Sequence, residues 1–353
     1  MKFSIIIPMF NLENYIAICL NSLLNQTYKN FEIIIVDDGS KDNSVIVAES
    51  LLQKSNFYDW RVIKQTNGGV GAARNKGIDY VSGQFVIFLD GDDFVSPRLI
   101  EILTKYYNME LNFDILFYQF ERVFDINESP IDLETGNNDC FEIVTNSSSI
   151  LKILNDEIKI SMPSIAFDIN KINEFNIRFK EDCINGEDRE FIFNYLFVTE
   201  KSMIIPETLF FYVQRPTSIS NSFSIRRIDS VYAYIRILNN FKKNKNKIFT
   251  KDFDLIKNSL GTQIFAEYIG NFNNFLRFKG STVFLNSNTI NTIVKKIEEE
   301  YPFLNNDLGN LYKSISMTNS KTKFMTKIYK VNLLLYSNII NIFNNFQKLK
   351  KSL

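Results

Sequence analysis

The first 95 residues of the chain alternate short apolar runs with segments of helical periodicity. The apolar runs are FSIIIPMF, FEIIIVD, WRVIKQ and QFVIFLD, which have the length of β-strands. After the first run, apolar residues recur with helical spacing at Ile16, Leu20, Leu23 and Leu24. Strands without a polar face must be covered on both sides, so this alternation predicts an α/β fold with a mostly parallel central sheet and helices on both faces.

Polar residues gather at the carboxyl end of each predicted strand. They are Asn11 after the first strand, Asp37 and Asp38 after the second, Asn67 and Gly68 after the third, and Asp90 to Asp93 after the fourth. In open parallel sheets, ligands bind in the crevice outside these strand ends. The sequence therefore predicts one site to which all of these strand ends contribute.

Composition removes several classes of function. The 353 residues include 40 acidic and 40 basic side chains, so no excess of positive charge favours a nucleic-acid partner. Histidine is absent, which excludes any His-based triad and leaves Asp, Glu, Lys, Tyr or Cys as a general base. The 3 cysteines are widely spaced and form neither a disulfide framework nor a metal motif, which favours a reduced, cytoplasmic compartment.

Two apolar segments near the chain ends bear on targeting. The opening MKFSIIIPMFN has too short an apolar run for a signal peptide and is expected to form a strand. The segment VNLLLYSNIINIF is shorter than the roughly 20 residues that a membrane-spanning helix needs. We therefore expect no membrane span.

The stretch FLDGDDF, residues 88–94, places three carboxylates at the end of the fourth strand. Alternate residues of an extended chain point the same way, so Asp90 and Asp92 project to one side with Cα atoms roughly 7 Å apart. A divalent cation would relieve their repulsion, and carboxylate oxygens suit Mg²⁺ or Mn²⁺. The alternative is a solvated loop in which Asp93 or Ser96 only caps the next helix.

Two further loops carry hydrogen-bonding groups suited to a nucleotide. In VDDGS, a carboxylate at Asp38 on the floor of the cleft would accept from the imide N–H of uracil, although Asp-Gly is also an ordinary turn signature. In NGGVGAARN, a glycine-rich turn opens a helix and presents backbone N–H groups to an anion. Arg74 in this segment would either clamp a phosphate or pair with a neighbouring aspartate.

In their order and spacing, the segments IIIPMFN, VDDGS, NGGVGAARN and FLDGDD resemble the nucleotide-sugar-binding half of the family 2 glycosyltransferases, which have the GT-A fold. The resemblance covers about residues 1–120 closely and extends to about residue 220. It implies a UDP-sugar donor and a Mn²⁺ or Mg²⁺ cofactor. The residues that it assigns to the donor are Pro8, Phe10, Asn11 and Asp38 in the nucleoside pocket, Asn67 and Arg74 near that pocket and the diphosphate, and Asp90 near the ribose. Asp92, with Asp90 beside it, is assigned to the metal.

The same resemblance implies an inverting transfer, in which a carboxylate deprotonates the acceptor hydroxyl as it attacks the anomeric carbon. The segment GEDREF resembles the family's acidic motif ahead of a helix, which makes Asp188 the base and Glu187 its neighbour. Alternatively, two acids in a first helical turn only interact favourably with the helix dipole. Asp182 is a competing candidate for the base.

The segment QRPTSIS, residues 214–220, resembles a mobile family segment that closes over the diphosphate or acceptor, with Arg215 as its basic residue. The alternative is a proline turn with an exposed arginine. The chain lacks the QxxRW motif of the family's processive polysaccharide synthases. This departure favours transfer of one sugar per encounter.

The resemblance as a whole implies an enzyme that moves a sugar to a hydroxyl of a glycan or lipid-linked glycan in bacterial surface polysaccharide synthesis. A nucleotide-sugar pyrophosphorylase is one alternative, but it would carry a glycine-rich loop with an arginine where this chain reads PMFNLENY. A catalytically silent binding or scaffold protein is another. It would have lost a metal or base carboxylate, whereas Asp92 and Asp188 are both present.

Two domains are predicted, a GT-A domain at residues 1–222 and a helical region at 223–353. In the first, a helix is expected to begin with Ser96 as N-cap and Pro97 at its first position, and residues 125–150 are expected to form a loop.

The helical region carries aromatic and aliphatic residues typical of a core or a homo-oligomer interface. After Asp307 the chain contains lysines but no acidic residue. This basic tail is interpreted as a helix on an anionic membrane surface, which would make the protein peripheral to the membrane, as a solvated helix, or as a dimer contact.

Overall fold

A computed structural model of the chain describes residues 1–109, 111–124, 140–214, 224–244, 251–278, 287–320, 322–323 and 326–327. The residues divide into two units, Met1–Cys183 with Glu187–Ser218 and Ile184–Gly186 with Ile219–Leu353. Three of the predictions fall outside the described residues. They are the domain boundary at residues 222 and 223, Arg215, and the basic tail from residue 328 onward.

The first unit contains the sheet. Its described strands are β1 Phe3–Met9, β2 Phe31–Asp37, β3 Trp60–Lys64, β4 Phe85–Phe88, β5 Phe94–Val95, β6 Ile115–Val123, β7 Glu142–Thr145, β8 Ile165–Asp168 and β9 Lys201–Val213. Its described helices are α1 Ile16–Leu24, α2 Ser44–Lys54, α3 Val70–Ile78, α4 Leu99–Tyr107, α5 Asn146–Leu154, α6 Ile169–Glu174 and α7 Glu187–Leu196.

The strands follow the order β3-β2-β1-β4-β8-β6-β9-β5, with β7 paired to β9. From β3 to β4 the neighbours are parallel. Beyond β4 the sheet is mixed, because β8 runs antiparallel to both β4 and β6 while β6 and β9 are parallel. The predicted α/β fold is confirmed. The mixed half of the sheet was not predicted, because β6, β8 and β9 lie beyond the alternating segments of the first 95 residues.

The two central strands of the parallel half explain its continuous apolar sequence. β1 and β2 are buried along their whole length. β3 lies at the sheet edge, and its residues are partly buried or exposed. Strands covered on both faces are mostly apolar, and the buried Ser4 and Glu32 are satisfied by the hydrogen bond that the Ser4 hydroxyl donates to Glu32 Oε1 at 2.6 Å.

Backbone hydrogen bonds bring the predicted strand ends together. The Asp38 N–H donates to the Met9 carbonyl at 2.8 Å, and the Gln65 N–H donates to the Asp37 carbonyl at 2.9 Å. β4 pairs in parallel with β1 on the other side. The loops after β1, β2, β3 and β4 therefore leave the same edge of the sheet.

Two local predictions are wrong. Helix α4 begins at Leu99 with Arg98 as its N-cap residue, so the helix does not start at Ser96. The Ser96 hydroxyl accepts from the Arg98 N–H at 3.2 Å and closes a turn ahead of the helix. The region predicted as a loop at residues 125–150 contains β7 and the start of α5, because β9 offers β7 a pairing edge.

The described part of the second unit is helical, as predicted for the C-terminal region. It consists of a 3₁₀ turn at Ile225–Ile228 and the helices α8 Asp229–Lys243, α9 Phe253–Phe278, α10 Ser287–Glu300 and α11 Leu304–Ser314. The rings of Phe241 and Phe253 stack with centroids 5.0 Å apart. Within the described residues, no helix has both the length and the apolarity needed to cross a bilayer.

Helix α3 packs so closely on β1 that Gly77 has no room for a side chain. A Cβ at Gly77 would overlap the side chain of Ile6. We expect Gly77→Ala to lower the free energy of unfolding by about 1–3 kcal/mol through overpacking, measured by urea denaturation.

Gly270→Ala is the matched control, because Gly270 is also helical and a Cβ there meets nothing within 4 Å. We expect this control to gain about 0.5–1 kcal/mol from the higher helix propensity of alanine. Equal effects of the two substitutions would contradict the close packing at Gly77.

Candidate active site

The Asp38 carboxylate holds the glycine-rich turn that follows β3. Its Oδ1 accepts from the Gln65 side chain and the Gly68 N–H, each at 2.8 Å. Its Oδ2 accepts from the Gly69 N–H at 2.8 Å, and the Asn67 side chain donates to the Asp38 carbonyl at 3.0 Å. Asp38 is buried, so these donors compensate its charge. The N–H groups that were predicted to face an anion thus donate to a carboxylate of the protein.

The loop after β1 is tied to the loop after β2. Asn11 has a positive φ of 53°, its Oδ1 accepts from the Lys41 N–H at 2.8 Å, and its N–H donates to the Ser40 hydroxyl at 3.0 Å. This turn leaves Phe10 with 44% of its surface exposed, while Pro8 is buried in β1. An aromatic ring is therefore displayed at the end of β1.

Arg74 is a buried cation that bridges two acids far apart in sequence. Its Nη2 donates to Asp90 Oδ1 at 2.8 Å and its Nη1 donates to Glu187 Oε1 at 3.2 Å. The guanidinium also lies over the Phe179 ring, 5.3 Å from its centroid. Of the two alternatives for Arg74, the structure shows the pairing with an aspartate and adds a glutamate to it.

The neighbouring acids keep the guanidinium of Arg74 protonated. Burial lowers the pKa of Arg74, but the charges of Asp90 and Glu187 outweigh burial, so the pKa is raised and Arg74 stays cationic. Burial raises the pKa of Glu187 to about 7, and the charge of Asp188 adds to this effect while Arg74 opposes it. Glu187 therefore keeps its proton to a higher pH than an exposed glutamate does.

Asp188 lies in the first turn of α7, where the helix dipole favours a carboxylate. Its side chain is partly exposed, and Oδ1 accepts from the Arg189 N–H at 2.7 Å. The competing candidate Asp182 is 77% exposed and pairs with Lys180 at 2.6 Å. Asp188 is thus the acid that adjoins the Arg74 cluster, while Asp182 lies on the surface.

The three acids of FLDGDDF have different surroundings. Asp90 and Asp92 are partly exposed. Asp93 is buried, and its Oδ1 accepts from the Val213 N–H at the end of β9 at 2.8 Å. Burial and the nearby charge of Asp90 raise the pKa of Asp93 to about 8. Asp93 therefore joins this loop to the mixed half of the sheet.

The residues present fit a divalent cation that takes most of its ligands from elsewhere. No group of three or more acidic, cysteine or histidine side chains forms a metal cage in the described part of the chain. Arg74 engages only Oδ1 of Asp90, and Asp92 is partly exposed. Mg²⁺ and Mn²⁺ sites commonly use one or two carboxylates and complete their coordination with water and substrate phosphates.

Three residues that contact Asp38, Arg74 or Asp93 were not predicted from the sequence. Gln65 binds Asp38, Phe179 packs on Arg74, and Val213 binds Asp93. Gln65 directly follows the apolar run of β3, so its position was a usable signal. Phe179 and Val213 carry no local signal, because their partners lie about a hundred residues away.

Comparison with known proteins supports the sequence resemblance. Residues 4–150 match the family described as glycosyl transferase family 2. Glycosyltransferase GlyA of Streptococcus pneumoniae is 42% identical over 106 residues, which cover 30% of this chain and 15% of that protein. The minor teichoic acid biosynthesis protein GgaB of Bacillus subtilis is 32% identical over 216 residues, which cover 60% of this chain and 23% of that protein. The chain spans less than a quarter of the length of these two relatives.

Solved structures show the fold over a longer part of the chain. The S. aureus TarS fragment 1–349 in complex with UDP-GlcNAc has a TM-score of 0.64 at 20% identity, covering 88% of this chain and 89% of that chain. The mannosyltransferase PcManGT of Pyrobaculum calidifontis, in complex with GDP-Man and Mn²⁺, has a TM-score of 0.55 at 11% identity, covering 97% and 87%. At these identities the likeness shows the fold, which is GT-A-like as predicted.

Removing the cation of the Arg74 bridge leaves Asp90 and Glu187 without their countercharge. We expect Arg74→Met to lower the free energy of unfolding by about 3 kcal/mol, measured by urea denaturation. Arg98→Met is the matched control, because Arg98 and its partner Glu101 are both about 40% exposed. It should cost less than about 1 kcal/mol. Similar losses in the two variants would contradict a buried bridge.

The raised pKa of Glu187 predicts a pH-dependent stability. Because its pKa rises from 4.5 to about 7 on folding, the protonated carboxyl favours the folded state. That contribution is fully present below pH 4.5 and is lost as pH rises through about 7. In Glu187→Gln the side chain cannot ionise. The free energy of unfolding of this variant should therefore rise relative to that of the wild type as the pH increases from 4.5 to about 7. Urea unfolding at several pH values measures the difference, and a constant difference would contradict the assignment.

Proposed function

We propose that the chain, whose residues 4–150 match glycosyl transferase family 2, is an inverting glycosyltransferase acting on a UDP-sugar. The acceptor is a hydroxyl group of a glycan or lipid-linked glycan. The observation that carries the proposal is the Arg74 bridge, which joins the donor-side acid Asp90 to the helix that begins with Glu187 and Asp188. Donor-side and base-side carboxylates in one cluster suit such a transfer.

In the proposed reaction, Asp188 accepts the proton of the acceptor hydroxyl while the hydroxyl oxygen bonds to the anomeric carbon. The bond from that carbon to the diphosphate breaks, and its electron pair leaves with UDP. Attack from the face opposite the diphosphate inverts the configuration. Glu187, the residue before Asp188, holds the start of α7 through the hydrogen bond that it accepts from Arg74 at 3.2 Å.

Asp92, with Asp90 beside it, is the proposed holder of Mn²⁺ or Mg²⁺. When bound, the cation supplies positive charge beside the leaving diphosphate. Arg74 keeps Asp90 in place from the protein side, through the hydrogen bond to its Oδ1. The Mn²⁺ in the PcManGT complex supports this cofactor.

The nucleoside is proposed to bind at the ends of β1 and β2. Phe10 presents a partly exposed ring, and Asn11 fixes the turn that carries it. Asp38 accepts three hydrogen bonds, two on Oδ1 and one on Oδ2. A carboxylate oxygen can accept two, so Oδ2 retains the capacity to accept the imide N–H of uracil. The TarS complex with UDP-GlcNAc supports a uridine donor.

A bacterial surface glycan is the proposed acceptor class. The relative GgaB is named for minor teichoic acid biosynthesis, which supports this choice. The closing role of Arg215 and the membrane or dimer contact of the basic tail stay predictions, since Arg215 and residues 328–353 lie outside the described residues. The cytoplasmic location stays a prediction as well.

Separate roles for Asp92 and Asp188 predict different defects. With UDP-GlcNAc and Mn²⁺ as probes, Asp188→Asn should bind the donor as the wild type does, measured by calorimetry, but release UDP about 10²–10⁴-fold more slowly with an acceptor panel. Asp92→Asn should lose the Mn²⁺-dependent part of donor binding.

Asp182→Asn is the control, because Asp182 is the competing candidate for the base and is exposed at the surface. It should retain full UDP release. Full activity of Asp188→Asn would overturn the base assignment. Donor binding without UDP release from the wild type would identify a silent binding protein.

A further inference from the structure

The three residues that directly precede Glu187 belong to the second, helical unit. The N–H of Ile184 donates to Asp229 Oδ2 at 3.1 Å. The side chain of Asn185 donates to the Arg227 carbonyl at 3.2 Å. Asp229 is the first residue of α8, and Arg227 lies in the 3₁₀ turn before it. The peptide that leads into α7 is therefore hydrogen-bonded to the start of the C-terminal helices.

Gly186 completes this attachment by close packing. Its φ of +97° lies in the left-handed region that favours glycine. A Cβ there would approach Ser230 Cα to 3.0 Å and Ala233 Cβ to 2.9 Å, both on α8. Residues 184, 185 and 186 thus each contact α8 or the turn before it.

Asp229 is itself fixed by groups from other elements of the second unit. The Tyr301 hydroxyl donates to its Oδ1 at 2.5 Å. Burial raises the pKa of Tyr301, so this hydroxyl remains a donor. The Arg226 guanidinium donates to Oδ2 at 3.2 Å. Asp229 is also buried, and a buried carboxylate with several donors has little freedom to move.

The chain continues from Gly186 directly into the first turn of α7. Only Glu187 separates Gly186 from Asp188, so the Cα atoms of Gly186 and Asp188 are at most about 7.6 Å apart. A general base must lie within about 3 Å of the proton that it removes, and a misplacement of about 1 Å can slow a reaction about 10²-fold. Whatever holds residues 184–186 therefore influences the proposed base.

We infer that Asp229 is a positioning residue for Asp188, because it holds residues 184–186, the peptide that continues directly into the first turn of α7. The inference rests on the proposed function. It assigns the described C-terminal helices a part in the transfer step itself. Asp229 makes no contact with substrate in this scheme and acts only through the peptide that it binds.

The test compares Asp229→Ala with Thr262→Val. Thr262 is also a buried polar residue of the second unit, where its hydroxyl donates to the Asn258 carbonyl at 2.8 Å and accepts from the Thr318 N–H at 3.0 Å. Hydrogen–deuterium exchange of the peptide 184–190 and UDP release from UDP-GlcNAc with Mn²⁺ and the acceptor panel are the two measurements.

We expect Asp229→Ala to speed exchange of that peptide about tenfold or more and to lower kcat about tenfold or more, with KM within about twofold. Thr262→Val should leave the exchange rate, kcat and KM within about twofold of the wild-type values. Unchanged exchange and kcat in Asp229→Ala would overturn the inference, as would equal losses in Thr262→Val, since these would indicate general destabilisation.

Two further variants keep the test decisive. If Asp229→Ala does not fold, Gly186→Ala displaces the same peptide from its other side and should lower kcat without raising KM. In an Asp188→Asn background, Asp229→Ala should cause no further loss of kcat, because both act through one base. A full additional loss would overturn the inference.

The two proposals fail in different ways. If Asp188→Asn keeps full UDP release, or if the wild type releases none, the proposed function fails, while exchange still decides whether Asp229 holds residues 184–186. If Asp188→Asn is inactive but Asp229→Ala has normal exchange and kcat, the inference alone fails.

Discussion

The buried guanidinium of Arg74 is the interaction on which the candidate site depends. It binds Asp90 at the end of β4 and Glu187 at the start of α7, 113 residues further along the chain than Arg74. A cation removed from water is stable only when acidic groups compensate it, and the Asp90 carboxylate at 2.8 Å is the nearer of the two partners of Arg74. The bridge therefore fixes the distance between the strand-end acids and the helix that carries Asp188.

Two other buried acidic side chains, Asp38 and Asp93, accept hydrogen bonds from backbone N–H groups of distant loops and strands. Asp38 binds Gly68 and Gly69 and thereby shapes the turn after β3. Asp93 binds the Val213 N–H and ties the acidic loop to β9. These hydrogen bonds from backbone N–H groups to buried side-chain oxygens give the two loops a defined shape. The residues proposed to bind substrate are displayed on loops held by these carboxylates.

The mixed half of the sheet has a functional consequence. Strand β9 supplies the N–H group that binds Asp93, and α7, which carries Asp188, ends just before β9. The proposed role of Asp229 adds a second attachment near Asp188, because Asp229 binds the peptide that leads into α7. In this scheme the family-matched residues 4–150 contain the donor acids, whereas the base and its support come from later in the chain.

The sequence by itself determined the parallel half of the sheet and the polar residues at its strand ends, and it carried the resemblance to family 2 glycosyltransferases over residues 4–150. These signals are local, since β-strand and helix periodicity and a strand-end Asp can be recognised within about ten residues. It failed at Ser96, where an N-cap preference was overridden by the turn that Ser96 forms with Arg98, and at β7, whose pairing depends on a strand some sixty residues away. Only the tertiary structure decided that Arg74 binds both Asp90 and Glu187, that the turn at Gly68 binds Asp38, and that Asp229 holds Ile184. A charged or polar side chain reveals its need for a partner in the sequence, but which partner satisfies it depends on distances that exist only in the folded chain.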